Sequence, residues 1–71
     1  MFLMKYTIII EKTSAGYSAY SPDLPGCIST GRTLEEVKKN MTEAVELHIE
    51  DMKLQHHRPP KPVSIAELVE V

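Results

Sequence analysis

The 71-residue sequence is poor in the residue types that build reactive or metal-binding sites. Its single cysteine, Cys27, excludes an intrachain disulfide and a zinc site of paired cysteines, and it is typical of a reducing compartment. Its three glycines, Gly16, Gly26 and Gly31, are too widely spaced to form a phosphate-binding loop. We therefore expect a cytoplasmic protein that uses no cofactor.

The chain also lacks an excess of positive charge and a long apolar run. Eight basic and ten acidic residues leave a formal charge of −2, which does not favour binding to a phosphate backbone. No apolar run approaches the roughly 18 residues of a membrane span, and the apolar start is too short for a signal peptide. We expect no nucleic-acid binding by this chain alone, no export and no membrane insertion.

What remains is the composition of one small globular domain spanning residues 1–71, with 42% hydrophobic and 25% charged residues. A domain of this size hides only about 60% of the surface that its unfolded chain exposes. Its stability should therefore be low, and we expect it to form a homodimer or a higher homo-oligomer.

Local patterns predict four strands. β-branched and aromatic residues at 4–12 predict a first strand at the centre of the sheet, and the turn at 13–16 followed by residues 17–20 predicts an antiparallel hairpin. Residues 27–30 predict a short third strand. Residues 63–71 are rich in valine, isoleucine and leucine, and they predict a fourth strand.

One long helix separates the last two strands. Thr33 and Glu36 have the spacing of a reciprocal capping box, which predicts a helix from Leu34. Apolar residues recur at steps of three and four as far as Met52, and prolines follow from Pro59. The predicted fold class is α+β, βββαβ, with a four-stranded mixed sheet of order 3-2-1-4 and the helix packed on one face. A right-handed crossover would place strand four parallel to strand one.

Two motifs stand between the hairpin and the helix. The segment 22–27 holds two prolines and a glycine, which predict a rigid corner. Gly31, Thr33 and Glu36 then mark the helix start. The corner consists of Pro22, Asp23, Leu24, Pro25, Gly26 and Cys27. In combination with the helix start, this pattern resembles the HicB-like antitoxin family over nearly the whole chain.

The resemblance implies a fold similar to a truncated ribonuclease H. It also implies a partner, a HicA-type toxin, which is a small messenger-RNA-cleaving enzyme. Family members usually carry a small residue where Val37 stands. Many also add a C-terminal DNA-binding segment, for which no residues remain here. We therefore expect inhibition of a toxin by protein contact, without operator binding by this chain alone.

The candidate partner contacts are Asp23, at the tip of the corner, and the outward face of the helix. Residues 34–55 carry six acidic and three basic side chains, a net charge of −3, against +1 for the rest. On the outward face stand Glu43, Glu46, Leu47, Glu50 and Leu54. An acidic face with leucines suits a basic protein partner. Such an acidic face is also typical of a helix surface that is simply in contact with water. The two leucines equally suit the interface of a homodimer.

The sequence offers no catalytic or metal-binding constellation. Nuclease chemistry of the ribonuclease H type needs carboxylates clustered around two metal ions, whereas Glu11, Asp23 and Glu35 are scattered along the chain. Cys27 has no neighbouring base, which favours a buried packing role. We predict a non-enzymatic antitoxin. The alternatives are a residual metal-dependent ribonuclease using those three carboxylates, and a non-catalytic oligomeric structural or ligand-binding module.

Overall fold

The computed structural model describes residues 4–71 and shows three strands followed by one long helix. The strands are β1 (Ile9–Thr13), β2 (Gly16–Tyr20) and β3 (Ile28–Gly31), and the helix is α1 (Leu34–Leu54). The sheet is antiparallel with β2 in the middle, in the order β1-β2-β3. The predicted α+β class, the hairpin and the positions of the first three strands relative to one another are therefore confirmed.

The hairpin and the corner set the register of the sheet. Thr13 lies opposite Gly16 across a two-residue turn, and Ile9 lies opposite Tyr20. Tyr20 in turn lies opposite Ile28, so the chain reverses within the intervening corner. The first strand begins at Ile9 and not at residue 4, because the corner turns the chain away after Tyr20 and leaves the earlier residues without a ladder partner.

The fourth strand is the main correction to the predicted fold. Residues 63–71 lie outside the sheet, and Ile65, Leu68, Val69 and Val71 each expose at least 82% of their surface. β1 is consequently an edge strand and not the central one. The physical reason is that β-prone composition by itself does not form a strand: a strand needs ladder hydrogen bonds to a neighbour, and beyond Ser64 no hydrogen bond of the described residues joins this segment to β1.

The core lies between the helix and the β2–β3 half of the sheet. Within residues 4–71, five hydrophobic residues are less than 5% exposed: Ala19, Leu24, Cys27, Val37 and Met41. Tyr6, Ile8 and Ile10, which lie before and within β1, are only partly buried against this cluster. The helix therefore covers β2 and β3 better than it covers β1.

Gly31 allows the close approach of α1 to β3. A Cβ atom added at this position would lie 2.5 Å from the backbone nitrogen of Val37. Val37 itself is completely buried. Any side chain at position 31 would push the first turn of the helix away from the sheet.

The two ends of α1 are closed by local hydrogen bonds. The Thr33 hydroxyl accepts a hydrogen bond from the Glu36 backbone N–H at 3.1 Å, as the capping motif predicts. Among the hydrogen bonds of the described residues, the predicted return bond from the Glu36 carboxylate is absent. At the other end His57 N–H donates to the Met52 carbonyl at 2.8 Å, while His56 adopts a positive φ of 61°. This is a Schellman closure with histidine in the position that usually holds glycine.

Within residues 4–71, no helix combines the length and the apolar character that crossing a bilayer would require.

Candidate interaction surfaces

The corner at residues 21–27 is closed by its own backbone. Leu24 N–H donates to the Ser21 carbonyl at 3.2 Å, and Cys27 N–H donates to the Leu24 carbonyl at 3.0 Å. Leu24 is buried in the core, while Gly26 has a φ of 81°, a conformation that L side chains disfavour. The buried side chain of Leu24 therefore anchors the corner to the core, and Gly26 allows the backbone conformation that the corner needs.

Asp23 lies on this corner and binds the C-terminal segment of its own chain. Its Oδ2 atom accepts hydrogen bonds from the backbone N–H groups of Val63, at 3.2 Å, and Ser64, at 3.0 Å. Its Oδ1 atom accepts a third from the Ser64 hydroxyl at 2.9 Å. The hydrogen bond from the Ser64 N–H, supported by the other two, lowers the pKa of Asp23 below its ordinary value. The carboxylate is therefore already engaged within the chain.

The contact around Asp23 extends to the residues before β1. The Thr7 hydroxyl donates to the Ser64 carbonyl at 2.7 Å, and the Ser21 hydroxyl donates to the Thr7 carbonyl at 2.9 Å. The Tyr6 hydroxyl donates to the Pro60 carbonyl at 2.6 Å. Burial raises the pKa of Tyr6, with a smaller contribution from the Asp23 charge.

These hydrogen bonds join three segments that are far apart in sequence, at residues 6–7, 21–23 and 60–64. We call them the Asp23 network. Sequence reasoning missed this network, because single threonine and serine residues 57 positions apart leave no periodic signal. The only hint was the aspartate at the tip of a rigid corner.

The outward side of α1 presents the predicted charged surface. We call it the acidic helix face, formed by Glu43, Glu46, Leu47, Glu50 and Leu54. All five residues are exposed, with Leu47 at 66% and Leu54 at 75%. Helix residues seven positions apart differ by only about 20° around the axis, so Glu43 and Glu50 lie on one side, as do both leucines. The structure therefore brings these five residues together, away from the buried Val37 and Met41.

The carboxylates considered for metal chemistry are not assembled into a site. Glu11 is exposed on β1 and Glu35 is exposed in the first helical turn, while Asp23 is engaged by residues 63–64. Within residues 4–71, no group of three or more His, Cys, Asp or Glu side chains could hold a metal ion. Cys27 is buried, and this burial raises the pKa of its thiol.

Comparison with known proteins identifies the family. Residues 6–71 match the family described as HicB-like antitoxin of bacterial toxin–antitoxin systems. A UPF0150 protein of Synechocystis sp. PCC 6803 is 45% identical over 60 residues, which cover 83% of this chain and 76% of the relative. A UPF0150 protein of Thermoplasma acidophilum is 41% identical over 59 residues, covering 82% of this chain and 86% of the relative.

Solved structures agree with this assignment. A chain of the structure titled "HicA3 and HicB3 toxin-antitoxin complex" superposes with a TM-score of 0.73 and 37% identity, over 84% of this chain and 70% of that one. The structure titled "Antitoxin HicB3 crystal structure" gives a TM-score of 0.69 and 38% identity, over 80% of this chain but only 42% of that one. The chain belongs to the HicB-like antitoxin family, which confirms the resemblance found in the sequence.

Proposed function

We propose that this chain is an antitoxin that binds a HicA-type messenger-RNA endonuclease and covers its active site through the acidic helix face. Family membership over residues 6–71 supports the antitoxin role, as does the similarity to a chain of a toxin–antitoxin complex. In this role the chain works as one domain and by protein contact, so it needs no catalytic group or cofactor of its own.

The acidic helix face is the observation that carries the proposal. A ribonuclease that binds RNA presents basic groups to phosphates, and the carboxylates of Glu43, Glu46 and Glu50 offer comparable negative charge. Leu47 and Leu54, which are 66% and 75% exposed, would supply the apolar contact that slows dissociation. Charge would thus govern the association rate, and the leucines the lifetime of the complex.

The same face is unfavourable for the isolated chain. Glu46 and Glu50 are four residues apart on one helix, where like charges cost about 0.2–0.5 kcal/mol. Two leucines among these acids also remain in water. Lys39 and Lys53 stand at helical spacing from Glu43 and Glu50 and offset part of this cost, so the two exposed leucines are the clearer indication of a partner.

Asp23 takes a secondary place in this proposal. Its carboxylate accepts three hydrogen bonds from Val63 and Ser64, so a toxin could bind it directly only after displacing that segment. We therefore assign the main contact with the toxin to the acidic helix face. Asp23 instead stabilises the position of residues 63–64 against the corner.

The test uses a small basic protein encoded beside the gene. Purified toxin should cleave messenger RNA, and an equimolar amount of this chain should suppress the cleavage. Association and dissociation rates should then be measured by surface plasmon resonance at several salt concentrations. Failure of the wild-type chain to bind or inhibit such a toxin would overturn the proposed function.

Three variants locate the contact. Glu46→Lys should slow association by several-fold and reduce its dependence on salt, whereas Glu11→Lys, a matched reversal on β1, should change it much less. Leu47→Ala should mainly speed dissociation, by roughly 10-fold if the side chain is buried in the complex. If all three variants keep wild-type rates while inhibition persists, the toxin binds another surface.

A further inference from the structure

Residues 65–71 form an exposed apolar segment that follows directly after an anchored residue, Ser64. The segment reads Ile-Ala-Glu-Leu-Val-Glu-Val, and its four large aliphatic residues each expose at least 82% of their surface. Just before it, Ser64 is hydrogen-bonded to Asp23 and Thr7. Pro59, Pro60 and Pro62 stiffen the approach. The segment is therefore anchored at Ser64, and no hydrogen bond among the described residues involves residues 65–71.

The free edge of β1 offers the complementary surface. β1 pairs with β2 on one side, and no other backbone hydrogen bond of the described residues reaches Ile9–Thr13. An apolar groove of about 390 Å³ lies on the same side of the domain, between the chain before β1 and the helix. It is lined by Met4, Tyr6, Ile8, Thr42, Val45 and Glu46. An edge with open hydrogen-bonding groups beside an apolar groove favours the addition of a strand.

We propose that residues 65–71 of one copy of this chain add as a strand to the β1 edge of a second copy, so that two copies exchange their C-terminal segments. The exchange is symmetric, because each copy supplies one segment and one edge. It converts exposed aliphatic residues and an open strand edge into buried contacts. It also enlarges a core that has only five buried hydrophobic residues within the described chain.

A second copy fits the segment better than the β1 edge of the same chain. Residues 65–71 project from the Asp23 network into solvent and do not fold back along β1, although Ser64 lies beside Thr7. Because the network and the prolines fix the position of Ser64, the start of the segment is already ordered, which lowers part of the conformational entropy lost when the segment meets another molecule. Such preorganised terminal segments exchange between copies at low cost.

The first experiment measures oligomeric state and segment protection together. Light scattering across a range of concentrations should show a dimer, and amide hydrogen exchange at residues 65–71 should slow as the dimer forms. Dilution to monomer should restore fast exchange. A monomer at all concentrations would overturn the proposal. So would exchange in residues 65–71 that stays fast in the dimer, or protection that persists in the monomer, because the latter would place the segment on its own β1.

Two pairs of substitutions separate this interface from the alternative seam on the helix. The double variant Leu68→Pro/Val69→Pro removes two adjacent backbone donors, one of which must face β1, and it should weaken the dimer at least 10-fold. The control Leu47→Asp/Leu54→Asp alters the acidic helix face and should leave the dimer intact. The opposite outcome would overturn the proposal in favour of a helix seam.

The inference does not depend on the proposed function. The proline variant leaves the acidic helix face unchanged, so loss of the dimer with retained toxin inhibition would support the exchange on its own. Circular dichroism of the proline variant should match the wild-type spectrum of the helix, because residues 65–71 contribute no core side chain.

Discussion

At the scale of single residues, two glycines are required for different physical reasons. Gly31 is required for space, since an added Cβ would lie 2.5 Å from the Val37 nitrogen. Gly26 is required for conformation, since its φ is 81° while no atom of residues 4–71, its two chain neighbours aside, lies within 4 Å of an added Cβ. The closeness of α1 to β3 and the shape of the corner therefore each depend on one residue.

Substitution of these glycines should separate the two causes. Gly31→Ala should lower the free energy of unfolding by about 1–3 kcal/mol through overpacking, because the atoms it meets are backbone. Gly26→Ala should cost about 1–2 kcal/mol through strain, and Gly26→Asn should recover part of that loss. Urea denaturation followed by circular dichroism measures all three. Equal losses for Gly26→Ala and Gly26→Asn would contradict the role given to the positive φ.

His56 closes the helix in a conformation that glycine adopts at lower cost. Its φ is 61° and its N–H donates to the Lys53 carbonyl at 3.0 Å. His56→Gly should therefore raise the free energy of unfolding, by up to about 1 kcal/mol. Thermal denaturation checks the sign, and His57→Gly is the matched control, since only His56 has a positive φ among the described non-glycine residues. A destabilised His56→Gly variant would mean that the imidazole makes a contact of its own.

At the scale of elements, the C-terminal segment is held to the corner by the ionised Asp23. The pKa of Asp23 is lowered in the folded chain, so its contribution to stability is fully present above the ordinary value near 3.8 and is lost as pH falls through the lower folded value. The protection factors of the Val63 and Ser64 amides, which compare their exchange rates with the intrinsic rates at the same pH, should accordingly stay constant above the ordinary value near 3.8 and fall as pH drops below it.

Asp23→Asn provides the control for this acid transition. The amide keeps the shape of the side chain but loses its charge and one acceptor oxygen, so exchange at Val63 and Ser64 should be faster even at neutral pH. The acid-dependent step should then disappear. If the variant retains the step, another carboxyl group holds the segment.

At the scale of the whole molecule, the part of the chain that the structure describes has a core of five buried hydrophobic residues, which leaves little stability to lose. Met41 is completely buried at the middle of this core. Met41→Ala should cost about 2–5 kcal/mol, which is enough to unfold most of a domain of this size at room temperature. The matched variant Met52→Ala, at a half-buried position near the end of the helix, should cost much less. Similar losses at both positions would show that the helix C-terminus packs more tightly than its exposure indicates.

The local part of the fold was predictable from the sequence, since its signals act over a few residues. The turn after Thr13 specifies the hairpin, Thr33 starts the helix, and the 3.6-residue period separates Val37 and Met41 from Glu43 and Glu50. The acidic helix face was found for the same reason. The corner motif and the helix start were also sufficient to indicate the family, whose match over residues 6–71 confirms that reading.

Only the tertiary structure decided which residues pair across long distances. Residues 63–71 have the composition of a strand, yet whether they form one depends on an edge to pair with, and that edge is supplied by packing and not by composition. The same holds for Asp23, whose partners Val63 and Ser64 lie 40 and 41 residues away. Periodicity and turn chemistry describe a chain's neighbours in sequence, whereas strand pairing and long-range hydrogen bonds depend on neighbours in space.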